Sequence, residues 1–207
     1  SAIGSLREEL SPGTFVVVDQ FIDRTFMRDR SFFGPGVVAH VPMADPVCPR
    51  LSDLAAAAAE TAGAKVARRA TYLAMEGPQL PTRAESRLYR QWDCDVIGMT
   101  AMPEARLARE AELPYALVGM VTDYDCWRSD GDDVDITQIL AQLQANAATA
   151  QRLIVELAKA LPRERPPSPL DTGLDTALIT PPHARDPALM AKLEAICRRV
   201  LTRQEGE

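Results

Sequence analysis

Apolar residues along this chain fall into short continuous runs separated by stretches of helical period, the pattern of strands alternating with helices. Phe15-Val16-Val17-Val18 is unbroken and mostly β-branched, which predicts a strand buried on both faces. Ser11-Pro12-Gly13 before it is a turn, and residues 5–10 read as a loop with a helical turn. Residues 20–36 mix Arg, Asp and Phe with the breaker cluster Gly34-Pro35-Gly36, and read as a long irregular loop. Val37-Val38 begins another short strand that Pro42 ends. An alanine run marks residues 48–63 as a helix, with Pro49 in its first turn and Gly63 past its end. Strands follow at 65–75, 96–99 and 115–121, and helices at 82–92, from Pro103 to 111, and at 136–161. Four prolines between 162 and 169 make a surface crossing, 165–184 carries no clear pattern, and 187–201 is a final helix.

This order defines an α/β fold with a mixed central sheet flanked by helices, in one domain over 1–207. Ligands in such sheets gather beyond the carboxyl ends of the strands, here residues 76–82, 98–104 and 122–127. Composition changes little: at 46% hydrophobic and 25% charged, the chain has material for an ordinary core. The net charge of −6 argues against a phosphate-tracking surface for nucleic acid, yet leaves room for a local pocket for a small anion. No apolar run approaches the ~20 residues of a membrane span. No basic segment precedes an apolar stretch at the start, so the sequence predicts no signal peptide and a cytoplasmic setting. A first residue other than Met suggests that the natural start lies elsewhere. Cys48, Cys94, Cys126 and Cys197 lack C-x-x-C spacing and have only His40 and His183 beside them, which predicts reduced, mostly buried thiols and no metal site.

Thr122-Asp123-Tyr124-Asp125 is the sharpest local feature. If the strand continues, a period of two sends both carboxylates to one side. A close pair raises one member's pKa, so one can hold a proton while the other accepts hydrogen bonds, which suits a heterocycle with an amine and a ring nitrogen. The alternative is a solvated acidic turn continued by Asp130, Asp132, Asp133 and Asp135. Gly98-Met99-Thr100 precedes a helix, so its amides and hydroxyl either hold a phosphate oxygen or form an ordinary capped turn. Glu76 either meets a ligand hydroxyl or sits in a plain surface turn, and His40 is either a substrate contact or a core histidine.

Several stretches together resemble one family. They are residues 1–9, Asp19 to Thr25, His40 to Pro46, Glu76-Gly77-Pro78-Gln79, Arg83-Ala84-Glu85-Ser86, Met99-Thr100, Pro103-Glu104, and Thr122 to Trp127. In order and spacing they are similar to 5′-methylthioadenosine phosphorylase, of the trimeric branch of purine nucleoside phosphorylases, from residue 1 to about 159. The resemblance implies phosphorolysis of methylthioadenosine to adenine and methylthioribose 1-phosphate. Inorganic phosphate is a co-substrate, no cofactor takes part, and the assembly is a homotrimer. Asp123 would protonate the purine N7 and Asp125 accept from the 6-amino group. Leu80, Ile3 and Gly4 would line the base, Met99 the ribose, and Ser1, Ala2 and Thr100 the phosphate. His40 from a neighbouring subunit and Ile136, Ile139 and Leu140 would surround the 5′ methylthio group.

Three positions depart from the family's pattern: Leu80 replaces a stacking aromatic residue, Pro81 a small hydroxyl residue, and Gly98 an Asn. The family's opening strands, phosphate loop and Arg-His phosphate contacts would precede Ser1, on a longer or separate chain. This leaves two alternatives to the methylthioadenosine reading. One is a preference for methylthioinosine or another purine nucleoside. The other is a non-catalytic subunit that completes a partner's pocket.

Overall fold

The computed structural model describes residues 1–128 and 136–204; Asp130, Asp132, Asp133 and Asp135 lie outside the described residues. In chain order the main elements are β1 (Ala2–Ser5), β2 (Thr14–Asp23), α1 (Pro49–Thr61), β3 (Lys65–Ala74), α2 (Arg83–Gln91) and β4 (Val96–Gly98). They continue as α3 (Glu104–Glu110), β5 (Leu117–Asp123), α4 (Ile136–Ala160), α5 (Leu174–Ala177), α6 (Pro187–Lys192) and α7 (Glu194–Gln204). The expected mixed sheet is present, and it closes into a barrel in the order β1-β4-β3-β2-β5. β1 is parallel to β5 and antiparallel to β4; β3 is parallel to both β2 and β4; β2 is antiparallel to β5.

Strand interiors fill the barrel because they alternate large apolar residues inward. Ile3, Val16, Val18, Tyr72, Val96 and Val121 form one buried cluster. Outside it, the alanines of α1 and Leu153 of α4 cover Phe15, while Leu6, Leu73, Tyr89, Ile97 and Trp127 pack beneath α2. A satellite cluster joins Phe33 and Val37 to Leu174, Leu193 and Val200. No helix among the described residues is long and apolar enough to cross a membrane.

Four expectations need correction. β1 is a strand where the sequence reading placed no element: four residues suffice because both neighbours, β4 and β5, supply partners. β2 does not stop at Val18 but pairs with β3 as far as Asp23–Ala74, through two register shifts, so the irregular segment begins only at Arg24. Val37-Val38 forms no strand, and Ala39 makes a single bridge to Leu178. The final helix divides at Leu193, a buried residue of the satellite cluster that ends α6.

α2 starts where the sequence placed it. The Thr82 hydroxyl accepts from the Glu85 amide, and the Glu85 carboxylate accepts from the Thr82 amide, a reciprocal cap. Thr82→Ala is expected to cost about 1 kcal/mol. Thermal denaturation reads this as a Tm lower by about 2–4 °C, and an unchanged Tm would mean that the cap does not hold α2.

Candidate active site

Two turns at the carboxyl ends of the strands meet the short strand β1, and most of the predicted site residues gather there. At one end of β1, the Ser1 hydroxyl lies 2.7 Å from that of Thr100, and the Ser1 carbonyl accepts from the Met120 amide at 2.7 Å. Ala2 follows, exposed, on the edge between them. At the other end, Gly4 pairs with Asp123. A Cβ on Gly4 would stand 3.2 Å from the Asp123 carboxylate and 3.5 Å from Asp125, so glycine keeps this floor open. Three residues of extended chain separate the two ends, about 10 Å.

The acidic pair does not meet by strand alternation. β5 ends at Asp123, and Asp125 turns into the left-handed region at φ 53. The Asp125 amide then donates to Asp123 Oδ1 at 2.7 Å, a side-chain turn of the kind Asp favours. Asp123 Oδ2 lies 2.7 Å from the Thr122 hydroxyl, which also reaches the Ile3 carbonyl at 3.2 Å. Asp125 Oδ2 accepts from Ser86, a fully buried serine on α2. Burial pushes the Asp125 carboxyl up to about 6; the Ser86 bond opposes this and the neighbouring Asp123 adds to it. The raised group of the pair is thus Asp125, whereas the sequence reading gave the proton to Asp123.

Other predicted residues divide between the site and elsewhere. Ile3 does not line a floor with its side chain, which is buried in the barrel and packs over Gly119; only its carbonyl faces the acidic turn. Leu80 is half exposed on the segment whose next residue, Pro81, accepts from the Cys126 thiol at 3.2 Å, so it stands beside the acidic turn. Met99 lies against Gly77, whose φ of 70 and lack of a Cβ admit the thioether. Ile136 and Leu140 are exposed and Ile139 is half-buried on the first turns of α4, whose buried face is carried further on by Asn146 and Leu153. His40 is exposed rather than a core histidine. Its amide donates to the Ala177 carbonyl, and its chain neighbours Ala39 and Val41 pack on the satellite cluster, away from the strand ends that hold the acidic pair.

Glu76 is engaged by donors of the chain itself rather than sitting in a plain surface turn. It accepts from the amides of Phe26 at 2.6 Å and Met27 at 3.2 Å and from Arg28 Nε at 3.1 Å; these bonds, Phe26 first, hold its carboxyl below the usual range against a partial desolvation. Sequence reasoning missed three residues. Arg28 sat in a loop with no periodicity to orient it. Ser86 lay inside a quoted motif without a role. Tyr72 read only as a strand residue, yet its buried hydroxyl lies 3.3 Å from the Thr100 amide and accepts from it. The four cysteines are free thiols, three of them buried, and burial pushes Cys94 up to about 11. Among the described residues no group of three or more His, Cys, Asp or Glu is placed to hold a metal ion.

A carboxyl pair with one raised member, an open glycine floor and a paired-hydroxyl corner about 10 Å away can hold a flat heterocycle at one end and an anion at the other. Residues 1–159 match the model of the Phosphorylase superfamily. The chain is 58% identical over 203 residues to the S-methyl-5′-thioadenosine phosphorylase of Bradyrhizobium diazoefficiens, covering 97% of this chain and 70% of that one. It is 52% identical over 205 residues to the Rhodospirillum rubrum protein of the same name, covering 97% and 69%. Among solved structures, a methylthioadenosine phosphorylase from an antarctic soil metagenomic library superposes with a TM-score of 0.87 at 44% identity, over 94% of this chain and 69% of that one. Methylthioadenosine phosphorylase from Schistosoma mansoni, in complex with adenine, gives 0.80 at 30% identity, over 86% and 71%.

Proposed function

The chain belongs to the Phosphorylase superfamily and, within it, to the S-methyl-5′-thioadenosine phosphorylases, and from that premise we propose how its residues divide the reaction. The activity is phosphorolysis of 5′-methylthioadenosine. A phosphate oxygen attacks C1′, the bond from C1′ to the purine N9 breaks, and its electron pair leaves with the base. A proton on N7 makes adenine a neutral leaving group, and the sugar departs as 5-methylthioribose 1-phosphate.

Asp123 faces N7 as the general acid, and Asp125 accepts from the 6-amino group. The single observation that supports this is the hydrogen-bonded carboxyl pair at the end of β5, set against the open Gly4 floor. In the free protein the proton favours Asp125. A bound adenine donates its amino hydrogen to Asp125 and keeps that group charged. That leaves Asp123 as the carboxyl that meets N7. Gly4 and Leu80 flank the base, Met99 the ribose, and the hydroxyls of Ser1 and Thr100, with Ala2 beside them, the phosphate. The exposed apolar start of α4, with Ile136, Ile139 and Leu140, supports an apolar 5′ substituent. The exposure of His40 apart from the acidic pair supports a 5′ site completed by a second copy, in a homotrimer. The reaction requires no cofactor, and the setting is cytoplasmic.

The test is ultraviolet-monitored phosphorolysis with methylthioadenosine, methylthioinosine and inosine side by side. Methylthioadenosine is expected to exceed both 6-oxopurines in kcat/KM by about 100-fold or more, because O6 offers Asp125 no hydrogen. Equal rates on methylthioinosine would overturn the assignment of Asp125.

A further inference from the structure

We infer that Arg28 is a positioning residue for the Met99-Thr100 turn. This rests on the phosphorolysis reading above, which gives that turn the ribose and phosphate. Arg28 lies in the segment after β2, remote from the turn in sequence, and its side chain is about three-quarters buried, 23% exposed. Its five donors are spent on two pieces of chain, residues 75–76 and 99–102. Nη1 donates to the Met99 carbonyl at 2.5 Å and to the Met102 carbonyl at 2.6 Å. Nη2 donates to the Glu76 carbonyl at 2.8 Å and reaches that of Met75 at 3.4 Å. Nε meets the Glu76 carboxylate, whose other oxygen takes the amides of Phe26 and Met27.

A planar fork of this kind fixes direction as well as distance, which a lysine ammonium does not. The two carbonyls held by Nη1 bracket Thr100 in sequence, so the fork sets where that hydroxyl and the Met99 thioether point. From inside the barrel, the Tyr72 hydroxyl holds the Thr100 amide. The turn is therefore pinned on both sides, and Arg28 supplies the outer side. The base end is held separately: Asp123 and Asp125 are fixed by Thr122, Ser86 and their own backbone, none of which Arg28 touches.

Misplacing reacting groups by about 1 Å lowers rate on the order of 100-fold. Arg28→Met in the full chain is therefore expected to lower kcat/KM for phosphorolysis by about 100-fold, with KM for phosphate raised. The dissociation constant for adenine should stay within about threefold of wild type, since the base site is held independently. Arg28→Lys, which keeps the charge and loses the fork, should recover less than about tenfold. Hydrogen exchange gives a readout without turnover: amides of residues 99–102 should exchange at least about tenfold faster in both variants, and those of residues 122–126 should not. Unchanged exchange at 99–102, full rescue by lysine, or adenine affinity falling as far as kcat/KM overturns the inference. If the methionine variant does not fold, the lysine variant carries the same readouts. A wild-type protein inactive on methylthioadenosine overturns the phosphorolysis reading instead, and exchange at 99–102 still decides the role of Arg28.

Discussion

Asp123→Asn is expected to lower kcat for phosphorolysis of methylthioadenosine by about 10²–10⁴-fold, the range of a lost general acid. The substitution is nearly isosteric, and its amide can still bond to Thr122 and to the Asp125 backbone. Fold and adenine affinity should therefore change little. Asp125→Asn should behave differently. It loses an acceptor for the 6-amino group and so weakens adenine binding as well as kcat. It should also stabilise the free protein. The folded pKa of about 6 lies above the ordinary 3.8 of an unfolded aspartate. The charged form is thus the disfavoured one in the fold, and its penalty grows as pH rises from about 4 through 6. At pH 7 the asparagine variant should gain on the order of 1–3 kcal/mol over wild type, and near pH 4 the two should coincide. Denaturant melts at both pH values, set beside kcat, separate the two roles. If the stabilised variant were Asp123→Asn instead, the assignment of the raised group would fail.

The second large effect concerns Gly98. A Cβ at this position would stand 2.8 Å from Tyr72 Cζ and closer still to the hydroxyl. Tyr72 cannot give way: it is fully buried in the barrel, edge-on to Phe21 at 5.9 Å. The asparagine that the resemblance expects at 98 is therefore excluded by Tyr72, and glycine and tyrosine act as a matched pair. Gly98→Ala should destabilise by about 3 kcal/mol, near the upper end of overpacking, a Tm fall of about 6–12 °C. Tyr72→Val costs stability alone by leaving a cavity. In the double variant the ring is gone, so Gly98→Ala should then cost less than about 1 kcal/mol. A double-mutant cycle with coupling near zero would mean that the clash relaxes elsewhere.

Much of the scaffold was legible because its signals are local. The unbroken run Phe15 to Val18 and the alanine helix α1 each lie within a few residues of chain. β1 was not legible, since its strand character comes from partners 91 and more residues away, as in Ser5 with Val96. The acidic pair was found by spacing, but the geometry first supposed for it was wrong: a side-chain turn, not an extended strand, joins the two residues. The family likeness named Ser1, Thr100 and Met99, yet gave no hint that Arg28 and Tyr72 hold their turn, because neither contact has a periodic signature. Glu76 was misread for the same reason: its partners come from a loop whose course only the folded chain reveals.

β1 has one further consequence, for the time course of folding. This strand carries both ends of the candidate site, and it pairs only with segments near residues 96–98 and 120–123. Contacts between such distant parts of a chain form late, after the loop entropy between them has been lost. The site therefore exists only once β1 has paired with both β4 and β5. A nucleoside that binds only the closed barrel stabilises it by mass action, so substrate acts as a latch on this short strand.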